Sequence, residues 1–230
     1  SRSFDIVYRF TLEAVRYLFG QGCELVILAC NTASAKALRS IQQNDLPKID
    51  PNRRVLGVIR PTAECVGSMT TTGHIGIFAT PGTVQSQSYD MEIGKLHEGL
   101  TTVGHACPMW VPLIENKESE GDGADYFVKK DIDQLLHHDG AIDTVILGCT
   151  HYPLLLPKIE KYMPEGVKII AQGPIVAASL ANYLERHSEM EQRLSLGGRC
   201  RYLTTESAEK FGDLASIFLG EAIHPEHIDL

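Results

Sequence analysis

Short apolar runs of strand length alternate with longer amphipathic stretches along almost the whole chain, and this alternation constrains the fold more than any other feature. Leu-Val-Ile-Leu-Ala at residues 25–29 and Thr-Val-Ile-Leu at residues 144–147 are continuous apolar runs. A strand with one wet face alternates apolar and polar side chains, so a continuous run predicts a strand buried on both faces. Further strands are expected at residues 55–59, 75–79, 101–105, 168–171 and 201–204. Helical periodicity falls between them, at residues 4–19, 32–43, 85–97, 122–138, 175–186 and 208–219, and Pro61 is expected to open another helix. This order predicts an α/β fold, with parallel sheets carrying helices on both faces. The polar stretch 115–125 reads as a surface loop.

The chain's 230 residues are enough for one large or two small α/β domains. Its 21 Lys and Arg against 29 Asp and Glu leave a net charge of −8. Non-specific nucleic-acid binding needs a basic footprint, so that class is excluded. No apolar run approaches the ~18 residues of a membrane span, and the opening residues have no signal-peptide pattern. A cytoplasmic protein with neither nucleic-acid nor membrane partners is expected. The chain passes from Ser1 straight into a helical pattern, as a chain with its front missing would.

Six cysteines are dispersed without CxxC pairs, and nine histidines form no ligand motif. Neither a disulfide framework nor a metal site is expected from such spacing. A free cysteine in such a chain is ordinarily a small buried hydrophobe. Two of the six depart from that pattern. Glu-Leu-Val-Ile-Leu-Ala-Cys ending at Cys30 resembles Asp-Thr-Val-Ile-Leu-Gly-Cys ending at Cys149, 119 residues later. Each copy ends an apolar strand with a small residue and a cysteine, then turns polar: Asn31 and Thr32 in one, Thr150 and His151 in the other. Buried strands share triplets such as Val-Ile-Leu by chance; the shared small-Cys-polar ending is the stronger sign of an internal repeat.

In open α/β sheets, ligands bind beyond the carboxyl ends of the strands, where both cysteines fall. Helix N-termini there lower a thiol's pKa and hold carboxylates, so an acidic chain can still bind an anion locally. Asn31, Thr32 and Thr150 are the donors at that edge; the two threonines also fit plain helix caps. Two like domains facing each other across a pseudo-twofold would set one thiol on each side of a cleft. That geometry suits inversion at a carbon, where one group removes a proton from one face and another returns one to the opposite face. His151 can orient or assist Cys149, or be a surface histidine.

At these residues the chain resembles the glutamate racemases of the aspartate/glutamate racemase superfamily. The resemblance rests on Leu-Ala-Cys-Asn-Thr-Ala at 28–33, Ala-Thr-Pro-Gly-Thr-Val at 79–84 followed by Ser86 and Tyr89, and Leu-Gly-Cys-Thr-His-Tyr-Pro at 147–153. Residues 55–59, 107–115, 202–205 and 218–220 also fit, so it spans nearly the whole chain. It implies that Cys30 and Cys149 are the acid/base thiols, with His151 supporting Cys149. Asn31, Thr32, Thr80, Thr83 and Thr150 would bind substrate, and Glu115 would lie near it. The implied fold has two similar parallel-sheet domains, residues 1–69 with 173–230 and residues 70–172, with the site in the cleft between them. The implied activity is interconversion of L- and D-glutamate without metal, pyridoxal phosphate or nucleotide, by a cytoplasmic homodimer that supplies D-glutamate for the cell wall. Paired cysteines alone fit an aspartate or hydantoin racemase as well, and a non-catalytic binding module or a redox thiol pair remain open from the residues.

Two departures from the family stand out. Its leading strand with an Asp-Ser pair, and the Pro-Tyr-Gly segment just before residue 1, have no counterpart here, which implies a first domain lacking part of its site. Ala171-Gln172-Gly173 stands where many members carry Asp-Ser-Gly. Trp110 reads as packing, Tyr152 and Pro153 as shaping the turn after Cys149, Arg60 as exposed, and the other four cysteines as structural.

Overall fold

The computed structural model describes residues 3–230; Ser1 and Arg2, at the start of the expected first domain, lie outside the described residues. Strands β1 (Leu25–Leu28) and β2 (Arg54–Gly57) form one parallel pair. Strands β3 (His74–Ala79), β4 (Thr101–Ala106), β5 (Thr144–Gly148) and β6 (Lys168–Ala171) form a four-stranded sheet in the order β4-β3-β5-β6. Every neighbouring pair in that sheet is parallel. Strands β7 (Leu203–Thr204) and β8 (Glu226–His227) add a third, short parallel pair. The α/β class expected from the alternation is the class observed.

Strand β5 explains its own sequence. Val145 and Leu147 point into a core under the helix Asp122–His138, with Val128, Ile132 and Leu135, and with Trp110, Tyr152 and Ile159. Ile146 points the other way, toward Ile59, Ala63 and Val66 of the helix Ile59–Val66 and Ile93 of the helix Ser88–Leu96. Side chains of a strand alternate between faces, so covering both faces demands an apolar residue at every position. Each such side chain contributes about 1.5–3 kcal/mol on burial. At the far end of β5, Asp143 accepts from the Thr70 hydroxyl and from the Thr71 and Thr72 N–H groups, pinning the loop that leads into β3.

Strand β1 departs from expectation. Val26 and Leu28 face a core with Leu12, Val15 and Phe19 of the helix Phe4–Gly20, but Ile27 on the opposite face is 37% exposed. The helix Gln172–Arg186 stands off that face, leaving a groove of about 670 Å³ lined by Ile27, Leu56, Ile59, Val176, Leu180 and Tyr183. An apolar run thus marks a strand whose second face is covered only at a distance.

Helix boundaries differ where local chemistry overrides periodicity. The helix after β1 runs over residues 31–49, beyond the expected 32–43, and contains wider π-type turns at Ser34–Leu38 and Ile41–Asp45. Pro47 does not end it; it falls in the closing segment Leu46–Ile49, directly after the wider turn Ile41–Asp45. Pro61 lies inside rather than at the start of the helix Ile59–Val66. The expected helix 85–97 is two helices, Pro81–Ser86 and Ser88–Leu96, divided at Gln87 with φ of 52°. Part of the expected loop 115–125 is helical, since Glu115 closes the helix Trp110–Glu115 and Asp122 opens the next one.

Candidate active site

Cys30 follows β1 and caps the helix that begins at Asn31; its side chain is exposed. Cys149 follows β5 and is 9% exposed. Burial is the largest cause, and with smaller contributions from neighbouring Cys30 and Glu115 it pushes the Cys149 thiol up to about 11. The His151 and Tyr152 N–H groups act on the sulfur in the opposite direction and do not prevail. This corrects the expectation that both thiols are drawn toward thiolate. The helix-end donors exist at Cys149, but removing the sulfur from water outweighs them, so Cys149 rests as a thiol.

His151 stands beside Cys149, with Nδ1 3.9 Å from Sγ. Its Nε2 lies 3.1 Å from Oε1 of Glu115, and its ring meets Phe218 edge-on at 5.2 Å. When Nε2–H donates to Glu115, Nδ1 faces the sulfur as an acceptor; the imidazolium would instead donate to a thiolate. Glu115, expected near the substrate, is the partner of the histidine's far nitrogen.

Three hydroxyls meet across the halves of the chain. Thr32, on the helix after Cys30, is 2.9 Å from Thr80 and 3.1 Å from Thr83, oxygen to oxygen. Thr80 caps the helix Pro81–Ser86 by accepting from the Thr83 N–H. Gly82 allows this approach: a methyl built on it would lie 3.3 Å from the Thr32 methyl and from Lys36 Nζ. Thr150 is exposed in the turn after Cys149. Of the expected site residues, Cys149 and His151 are thus joined directly, and Thr32, Thr80 and Thr83 form a cluster.

Asn31 is 3% exposed and belongs to a closed ring of hydrogen bonds. Its Nδ2 donates to Gln172 Oε1 at 2.7 Å, Gln172 Nε2 donates to the Tyr89 hydroxyl at 2.7 Å, and that hydroxyl donates to Asn31 Oδ1 at 2.7 Å. Gln172 Nε2 is also 3.1 Å from the Val58 carbonyl and 3.0 Å from the Thr62 hydroxyl. Sequence reasoning named Tyr89 and Gln172 only as motif residues; the departure at Ala171-Gln172-Gly173 was the one signal that pointed here.

The remaining residues are structural in different ways. Trp110 is fully buried and packs on Phe78 and Tyr152, as expected. Arg60 is exposed and pairs with Glu64 and Glu92. His105, Cys107 and Asp131, which no sequence spacing brings together, place their polar atoms within 4.8 Å of one another. His105 Nε2 is 3.2 Å from Asp131, and burial together with Asp131 holds the Cys107 thiol well above its ordinary pKa.

Comparison with known proteins places the chain in a family. Residues 5–180 match the sequence profile of the Asp/Glu/hydantoin racemase family. A glutamate racemase of Ruegeria sp. (strain TM1040) is 38% identical over 96% of this chain and 83% of its own length. One from Streptococcus gordonii is 37% identical over the whole of this chain and 83% of its own length. Among solved structures, a glutamate racemase isoform of Bacillus anthracis superposes with a TM-score of 0.88 at 34% identity, covering 100% of this chain and 82% of that one. The Francisella tularensis glutamate racemase, solved in complex with D-glutamate, superposes at 0.83 with 25% identity, covering 100% and 81%. Sequence and fold thus converge on one assignment: the chain belongs to the Asp/Glu/hydantoin racemase family and is an amino-acid racemase.

Proposed function

We propose that the protein interconverts L- and D-glutamate by a two-base mechanism in which Cys30 and Cys149 work from opposite faces of Cα, supplying D-glutamate for peptidoglycan. The observation that carries this reading is the pair of thiols at the carboxyl ends of β1 and β5, with the residue after Cys30 tied through Gln172 and Tyr89 toward the strand end before Cys149. The glutamate racemases matched by the whole chain support glutamate as the substrate.

The chemistry follows from the surroundings of the sulfurs. With Cys149 resting protonated, Cys30 as thiolate removes the α-proton from one face while the Cys149 S–H delivers a proton to the other. The thiolate left at Cys149 is held by the His151 and Tyr152 N–H groups and by His151 Nδ1–H when that ring is protonated, with Glu115 orienting the ring. The reverse reaction starts from this state, so the roles exchange with direction. The hydroxyls of Thr32, Thr80 and Thr83, the Thr150 turn and the second Nδ2–H of Asn31 supply donors for the substrate's carboxylates. They offset the chain's net charge of −8 locally.

Residues 1–69 with 173–230 form one domain in this reading, and residues 70–172 the other. The separate β1–β2 pair, and the contacts of Arg193 with Glu24 and with the Asn52 carbonyl, support that division. A cytoplasmic location accords with six free thiols and with the lack, among the described residues, of a helix long and apolar enough to cross a membrane. A homodimer accords with exposed Ile6 and Phe10 on one side of the first helix.

The test is circular dichroism of L-glutamate over time, with the purified protein, a chelator and no added cofactor. Decay of the signal to zero is expected. A folded protein that leaves L-glutamate unchanged contradicts the assignment.

A further inference from the structure

The two thiols sit on different sheets, and inversion needs their separation held to a fraction of an ångström. One buried polar bridge connects their loops. On one side, Asn31 directly follows Cys30 and is bound through both ends of its amide. On the other, the Tyr89 ring packs against Gly148, the residue before Cys149. A methyl built on Gly148 would lie 3.2 Å from the Tyr89 ring and 3.0 Å from the Phe78 carbonyl. Gln172 closes the path between them. It opens the helix after β6, one residue beyond the Leu147–Ala171 pair of the β5–β6 ladder. Its Oε1 takes Asn31, and its Nε2 is shared among Tyr89, Thr62 and the carbonyl of Val58, just past the end of β2. It is 6% exposed, so these bonds form away from water.

We infer that Gln172 is a positioning residue for the racemisation: through Asn31 and Tyr89 it sets the distance between the Cys30 and Cys149 loops. The inference rests on the two-thiol reading above. A glutamine does this where a shorter side chain would not, because its carboxamide accepts from the first loop and donates toward the second and toward β2. Opening the ring leaves each thiol intact on its own loop. Proton removal from Cα then continues, but delivery from the opposite thiol falters, and the deprotonated substrate regains a proton on the face it lost one from.

The experiment runs glutamate of each configuration in D2O and follows two products: deuterated substrate of retained configuration and the inverted enantiomer. Gln172→Leu, close in volume and without the amide, should lower inversion on the order of 10- to 100-fold, as expected for a misplacement near 1 Å. Its ratio of exchange with retention to inversion should rise several-fold for at least one enantiomer. A residue that merely stabilised the fold would lower both products together and leave that ratio unchanged. An unchanged ratio, or wild-type rates, overturns the inference. If Gln172→Leu does not fold, Tyr89→Phe removes one hydroxyl from the ring, keeps its packing and carries the same expectation and the same contradicting result. A wild-type protein that does not racemise glutamate overturns the underlying two-thiol reading as well, and is seen before any variant is made.

Discussion

At the scale of single residues, the two cysteines are alike in sequence and unlike in setting. Both end apolar strands and precede polar residues, which is what made them legible. Their burial was not, because it depends on what packs around each strand end. Cys30 is exposed, whereas Cys149 is enclosed and holds its proton up to about pH 11. The thiolate is the reactive form, so a raised pKa slows attack below that pH and releases it above. Iodoacetamide mapping should therefore find Cys30 modified first near neutral pH, with the Cys149 rate climbing as pH approaches about 11. Equal rates at neutral pH would contradict the account of Cys149. The neighbours of the cysteines were legible as types and not as partners. Thr32, Thr80 and Thr83 were expected near substrate and form one hydroxyl cluster. Glu115 was expected near the substrate, and its bond to His151 was not legible in the sequence.

At the scale of elements, residues whose environment is local were read well. The helices Asp122–His138 and Ala208–Leu219 and the strand Lys168–Ala171 have the expected bounds, because period and flanking polar residues define them. The turn at Gln87 was missed, since a left-handed non-glycine residue leaves no compositional mark. The exposure of Ile27 was missed because an apolar run says what a strand tolerates on its faces and not how closely a helix approaches. Asp143 shows an element boundary under electrostatic control. Burial alone would raise its pKa, but the Thr70 and Thr144 hydroxyls and the Thr72 and Thr71 N–H groups together hold it well below the usual carboxylate range. With the folded pKa depressed, its stabilisation is present above the unfolded value of about 3.9 and is lost as pH falls toward the folded one. Asp143→Asn should cost about 2 kcal/mol in urea unfolding at neutral pH, the usual worth of hydrogen bonds to a charge. The gap to wild type should narrow as pH falls below about 4. A gap just as large near pH 2 would contradict this role for the carboxylate.

At the scale of the whole molecule, the class of fold followed from alternation, and the repeated strand–cysteine unit pointed to paired thiols. The likeness of the halves lies in that unit rather than in strand number, since β1 and β2 form a pair whereas β3 to β6 form a four-stranded sheet. Contacts across 141 residues of sequence, such as Asn31 with Gln172, lie beyond any local pattern, and these are the ones that join the thiol loops. The family assignment tells what class of reaction the molecule performs, whereas the division of labour between faces rests on the two sulfurs. The most direct measurement is deuterium wash-in at Cα for Cys30→Ala and Cys149→Ala, starting in turn from pure L- and pure D-glutamate. Each variant should lose racemisation by at least ~10²-fold, the usual contribution of a positioned acid or base. Each should keep exchange from one enantiomer only, and the two variants should prefer opposite enantiomers. Exchange of both enantiomers by one folded variant, or the same preference in both variants, would contradict a mechanism with one thiol on each face.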